Sequence, residues 1–209
     1  MNRRLRYQVA MSLDGFIAGP NGEYDWIVMD RSIDFAALYK EFDTAVMGRK
    51  TYETAAAQGV NGSMPGIDVV VCSRTLAAAV PVKGVRIVND DAAEVVAALK
   101  AKSGGDIWLF GGGALFRSLL DAGLVDTVEV AIMPVLLGAG IPLLPPGAST
   151  KLVLSDKKIL PASGIVVLAY SVPGTRGPAP RIRFIKSGNR GPKSARARAI
   201  KRARKNPAR

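Results

Sequence analysis

The apolar positions of this chain keep two rhythms. Short runs rich in β-branched or aromatic residues occur at Arg6–Met11 (RYQVAM), Thr44–Met47, Asp68–Cys72 (DVVVC), Val85–Val88 and Asp106–Phe110 (DIWLF), each of strand length. Between them the spacing changes to threes and fours. Phe35, Leu38, Tyr39 and Phe42 predict an amphipathic helix with Ser32 as its N-cap, and Gly48-Arg49-Lys50-Thr51 opens a second. Asp91 caps a third that carries Val95, Val96 and Leu99, with Glu94 completing a capping box. Leu115, Phe116, Leu119 and Leu120 form the stripe of a fourth, which Gly123 ends. From Thr127 the helices stop. Thr127–Met133, Lys151–Ile159 and Gly164–Val172 read as strands joined by loops. Strands alternating with helices, then strands alone, predict an α/β fold of three layers. Its sheet is mixed and mostly parallel, with helices on both faces and antiparallel strands at the C-terminal edge.

Proline, glycine and cations take over near Pro173, ending in SARARAIKRARKNPAR. So few apolar residues cannot offset the entropy of ordering, which predicts one globular domain over 1–172 and a disordered basic tail over 173–209. The charge changes with it. The net +12 is a property of the tail, since 13 of the 29 Lys and Arg residues lie from Arg176 onward with no acidic residue among them. Residues 1–175 carry 16 basic and 17 acidic residues and are nearly neutral. Such a tail attracts polyanions without reading sequence, so non-specific nucleic-acid contact is one expectation, and a solvated inert extension the other.

Composition removes several chemistries. There is no histidine, which excludes histidine-based triads and histidine zinc sites. One cysteine, Cys72, allows no internal disulfide and no cysteine metal cluster, and its place in a buried strand fits a small apolar residue. Acid–base steps are left to Asp, Glu, Lys, Tyr, the substrate or water. A hydride carried by a bound nucleotide suits such a chain, because the cofactor brings the difficult chemistry. No apolar run approaches the roughly 20 residues of a membrane span, so the expected location is cytoplasmic and no membrane partner is expected.

Three strand ends carry groups that suit a dinucleotide phosphate, and in open α/β sheets ligands bind outside the carboxyl ends of strands. Gly48-Arg49-Lys50-Thr51 offers helix-start amides, two cations and a hydroxyl. Ser73-Arg74-Thr75 follows the DVVVC strand, where an NAD-binding domain would place an acid; hydroxyls and a guanidinium suit a 2′-phosphate, hence NADPH. Gly111-Gly112-Gly113 lets a ligand approach the backbone ahead of a helix, although it is not the GxGxxG pattern of a standard dinucleotide fold. Each alone is also a plain turn or capped helix; their force lies in occurring together.

These residues resemble a known group. Met47–Glu53, Met64-Pro65-Gly66 and Val69–Arg74 look like the central stretch of dihydrofolate reductases. Phe110–Gly113 with Leu115-Phe116 is similar to their second glycine site, whose Gly-Gly bond is cis, and Ala10 with Asp14–Ile17 resembles the first strand and the loop over nicotinamide. Ser12–Gly15, Asp25-Trp26-Ile27 and the long motif from Gly112 to Leu144 resemble more closely the reductase half of the bacterial deaminase-reductase of riboflavin biosynthesis. The likeness spans residues 5–172. It implies a dihydrofolate-reductase-like fold and an NADPH-dependent reduction of a small pyrimidine, pterin or related substrate, with the aminouracil step of riboflavin synthesis first and dihydrofolate reduction second. It implies cofactor contacts from Ala10, Ile17, Gly48, Arg49, Lys50, Thr51, Ser73, Arg74, Gly111, Gly112, Gly113, Ala114, Leu115 and Phe116. One departure stands out: Phe110 occupies the place where riboflavin-type reductases usually carry an acid. The zinc-ligand signature of the deaminase half does not occur.

For catalysis the candidates are Asp14, to orient the substrate or the cofactor amide, and Asp30 or Asp34, to donate a proton to a ring nitrogen or bind an amidine-like edge, against the plainer readings of loop cap and helix-dipole partner. Trp26 and Phe35 are candidate substrate walls, or core. The apolar stretch Val130–Leu144 offers a surface for pairing two copies into a homodimer. A protein that holds a nucleotide without turnover is the alternative from another class.

Overall fold

The computed structural model describes residues 3–57, 62–76 and 82–175. In chain order its elements are β1 (Leu5–Ser12), β2 (Phe16–Ala18), α1 (Phe35–Tyr39), β3 (Phe42–Gly48), α2 (Arg49–Ala55), β4 (Asp68–Cys72), β5 (Val85–Val88) and α3 (Ala92–Ala101). They continue with β6 (Asp106–Gly111), α4 (Gly113–Asp121), β7 (Thr127–Met133), β8 (Ile141–Pro142), β9 (Val153–Leu160) and β10 (Ile165–Ser171). Eight strands form one sheet in the order β5-β4-β3-β6-β1-β7-β10-β9. Every pair from β5 to β7 is parallel, and β10 runs antiparallel to both its neighbours. This is the mixed, mostly parallel α/β sheet that the hydrophobic rhythm predicts. The basic tail beyond residue 175, with the expectations placed on it, lies outside the described residues.

Alternation along the strands divides the core in two. One face sends Leu5, Tyr7, Val46, Val70, Ile107, Leu109 and Val128 against Val96 and Leu99 of α3 and Phe116, Leu119 and Leu120 of α4. The other sends Phe42, Ala45 and Trp108 toward Leu38, and Met47, Val69 and Val71 toward Tyr52. Further across it, Met133, Leu160, Ile165 and Val167 meet Trp26, Ile27 and Ile33.

The first helix differs from its expectation. It is five residues long, capped by Asp34, whose Oδ1 accepts from the Ala37 amide at 2.9 Å. Ser32 instead donates its hydroxyl to Asp30 at 2.6 Å. Phe42 leaves the helix to start β3, because its ring gains a stack on Trp108 at 5.2 Å and the Arg6 guanidinium at 4.6 Å. The β2–β8 ladder was not predicted either. Three residues pairing with two, one a proline inside a Pro/Gly-rich stretch, leave too short a pattern to read.

At the N-terminal ends of the strands the charges are paired. Arg6, 1% exposed, grips both oxygens of Glu129, also 1% exposed, at 2.8 Å each, and reaches Glu41 at 2.5 Å. Arg4 pairs with Asp106 at 2.6 Å, Lys100 with Asp126 at 2.5 Å, and Arg3 with Asp43. Toward the opposite ends the sheet opens. Gln8 to Met11 of β1, Ala131 of β7 and Phe110 of β6 are only half-buried although their strands are central. Among the described residues no helix is long and apolar enough to cross a membrane.

Candidate active site

The open end of the sheet is where three loops meet. β3 and β6 are neighbours, with Met47 level with Gly111, so the turn into α2 and the turn into α4 leave the sheet side by side. A Cβ placed on Gly111 would lie 3.5 Å from the Thr51 hydroxyl oxygen, and one on Gly112 would lie 3.3 Å from it. The Gly111–Gly112 peptide is cis, and Gly111 has φ of +145°. From the next strand, β4, Thr75 accepts a hydrogen bond from Arg49 Nη1 at 3.0 Å. Gly48, Arg49, Thr51, Ser73–Thr75 and Gly111-Gly112 therefore form one continuous rim. Lys50 and Arg74 are exposed on it.

The rim is rich in donors. The Ser73 hydroxyl accepts from the amides of Thr75 and Leu76 at 3.3 and 2.9 Å, which leaves its proton to give. Besides Thr75, Arg49 has Glu53 at 3.7 Å, with both side chains about half exposed, a weak attraction. At Gly48 an added Cβ would meet nothing within 4 Å, so the backbone there is open to close approach. Donors, cations and a glycine cradle of this kind suit a phosphate-bearing dinucleotide.

The second half of the glycine motif does other work. Gly113 is buried against the 142–145 segment, where a Cβ would fall 2.8 Å from the Pro142 carbonyl oxygen. Ala114 is exposed at the start of α4. Leu115 packs on the helical core, and Phe116, 3% exposed, stacks on Tyr7 at 3.9 Å. The Phe116 side chain belongs to the core, its ring in the layer behind the sheet.

Ala10 lies half-buried on the open face with Trp26 packed in the same cluster, and Ile17 sits in the short β2 beside the end of β1. Trp26 donates its ring N–H to the Glu23 carbonyl at 3.0 Å. Phe35 begins an aromatic row through Tyr39, Trp108 and Phe110, with centroid spacings of 6.3, 5.6 and 5.0 Å. That row walls one side of the opening.

The three candidate carboxylates are each engaged. Asp14 accepts from the amides of Leu137 and Gly138, the latter at 2.7 Å. The Ser12 hydroxyl and these amides hold its carboxyl below the ordinary value. Its amide partners Leu137 and Gly138 lie on a remote loop, and Ser12 is in its own turn. Asp30 accepts from the Ser163 hydroxyl at 2.5 Å and from Ser32, and these bonds lower its pKa too. Both are held as acceptors, the reverse of what a proton donor needs. Asp34 caps α1. Gln8, which sequence reasoning passed over, is half-buried on β1 and stands level with Glu129 of β7; nothing in a polar residue mid-strand marks it out.

Residues 3–168 match the model of the RibD C-terminal domain. The chain belongs to that family. The chain is similar to YyaP, an uncharacterised protein of Bacillus subtilis (strain 168). The two are 35% identical over 153 residues, covering 68% of this chain and 80% of that one. A putative riboflavin biosynthesis protein from Shewanella sp. PV-4 superposes with a TM-score of 0.70 at 27% identity, over 84% of this chain and all of that one. The fold extends to dihydrofolate reductase. The Enterococcus faecalis enzyme, solved with NADP(H), gives a TM-score of 0.62 at 16% identity over 83% of this chain and 99% of that one.

Proposed function

We propose that this protein is an NADPH-dependent reductase of a small pyrimidine-type ring, closer in action to the riboflavin-pathway reductases than to dihydrofolate reductase. One observation carries this reading: the ends of β3, β4 and β6 join in a rim of amides, hydroxyls and cations, linked by the Arg49–Thr75 and Thr51–glycine contacts. In this reading Arg49, Arg74 and the hydroxyls of Ser73 and Thr75 hold the adenosine 2′-phosphate. Thr51 and the Gly111-Gly112 backbone hold the pyrophosphate side, with Lys50 adding charge. Ala10 and Ile17 border the nicotinamide, which supplies a hydride to a C=N or C=O carbon of the substrate. The accompanying proton comes from water, because Asp14, Asp30 and Asp34 are committed to hydrogen bonds elsewhere. The same commitment weighs against dihydrofolate, whose amidine-like edge calls for a free carboxylate on α1. Phe35 and its aromatic neighbours would face the flat substrate ring.

Titration of the full chain with NADPH and with NADH tests this. NADPH is expected to bind at least about tenfold more tightly, the worth of one charge-assisted hydrogen bond to the extra phosphate. Equal affinities remove the role of the β4 turn, and no binding of either overturns the proposal.

A further inference from the structure

Two buried side-chain polar atoms meet no hydrogen-bond partner among the described residues: the Tyr7 hydroxyl oxygen and Gln8 Oε1. They point to opposite faces. Tyr7 is sealed in the helical core under Phe116. Gln8 is on the open face, at the inner end of the region where β1, β6 and β7 become half-buried. Buried acceptors without partners are rare in native proteins, because they have given up water for nothing. One that borders a cleft has a simple use: its partner arrives with the ligand.

The amide of Gln8 is oriented. Glu129 lies directly across from it on β7 and accepts from Gln8 Nε2 at 3.3 Å. Glu129 is itself fixed by both arms of Arg6 and by the Thr127 hydroxyl at 2.8 Å. A carboxylate in such a cluster offers acceptors only, so it holds the NH2 of the amide and leaves Oε1 as the group presented. On the neighbouring strand Trp108 donates its ring N–H to the Gln8 backbone carbonyl at 3.2 Å, and Phe110, one residue past the last β1–β6 pair, is set edge-on to that ring. An aromatic wall beside a lone acceptor suits a flat ring that carries its own donor.

We propose that Gln8 sets substrate specificity, its Oε1 accepting a hydrogen bond from a ring N–H of a planar heterocycle that lies against Phe110. The inference rests on the reductase reading and narrows it. The part of the substrate above Gln8 is a neutral N–H, as in a lactam or urea edge. A phosphate or carboxylate there would bring only further acceptors.

The test uses the full chain loaded with NADPH, with 6-aminouracil and 6-amino-1,3-dimethyluracil as probes, in the parent protein and in Gln8→Leu, read by calorimetry. The parent is expected to prefer the N–H-bearing ring by about tenfold, and Gln8→Leu to lose that preference. Melting temperature supplies the second reading. It reports folding alone, because either replacement also removes the Nε2 bond to Glu129 and is expected to lower it somewhat. If Leu does not fold, Gln8→Met, which keeps the length of the chain, is read in the same way. The proposal falls if 6-aminouracil does not bind the parent, if the parent shows no preference between the two probes, or if a folded variant keeps the preference. A failure of NADPH itself to bind would strike the reductase reading instead, so the two failures are separable.

Discussion

At the N-terminal ends of the strands Arg3, Arg4, Arg6 and Lys100 face Asp43, Asp106, Glu129 and Asp126, and at the C-terminal ends Lys50 and Arg74 meet no carboxylate among the described residues. The first set is largely buried and cross-linked between strands distant in sequence. The second is exposed and sits around glycines and hydroxyls. A paired, buried guanidinium fixes which strands lie together, since removing one partner strands the other away from water. An unpaired cation on a rim adds little to folding and is free to meet an anion. The contrast separates residues that hold the sheet from residues that use it, within one molecule and with one residue type.

Removal of a closed-end partner should have the largest effect. Glu129→Ala leaves Arg6 buried without its two-armed partner and is expected to cost about 3–5 kcal/mol in urea unfolding. A loss below about 1 kcal/mol would break the contrast at its stronger end. Arg49→Ala and Arg74→Ala should behave the other way. Each is expected to weaken NADPH about tenfold while leaving stability within about 0.5 kcal/mol. A matching loss of stability, seen in the same unfolding measurement, would show these arginines to be structural as well. The smallest effect is expected at Asp30, which belongs to neither end. Ser163 holds its carboxyl below the ordinary value, so the bond adds stability above the unfolded acidity constant and loses it as pH falls through the folded one. Ser163→Ala should therefore unfold more easily than the parent near neutrality and match it in strong acid. A gap that persists in acid would mean that the hydroxyl acts through packing.

What could be read in advance follows the same division. The strands were legible because parallel sheets bury both faces, so DVVVC and DIWLF are unbroken apolar runs. The rim was legible because glycines and cations cluster in short turns. The Arg6–Glu129 pair was not, since its partners stand 123 residues apart and charged residues on strands carry no periodic mark. Phe42 misled because its spacing from Phe35 and Leu38 fits a helix, while its burial is decided by Trp108, far along the chain. The Phe116 side chain was hard to place for a related reason: the motif sets it near the glycines, but helix geometry turns it to the rear layer.

The loop after β1 is fastened to the segment before and through β8. Asp14 accepts from Leu137 and Gly138, Leu13 donates to the Val135 carbonyl at 2.9 Å, and Leu143 donates to Gly15 at 2.9 Å. Gly140 lies so near Ala18 that a Cβ would come within 2.2 Å of its carbonyl oxygen. A loop tied at so many points has no independent swing. If the nicotinamide side is to admit and release its occupant by motion, both segments must travel as one flap. The amides of Leu13, Leu137, Gly138 and Leu143 should then exchange with deuterium at a common rate, and slow together when the coenzyme is present.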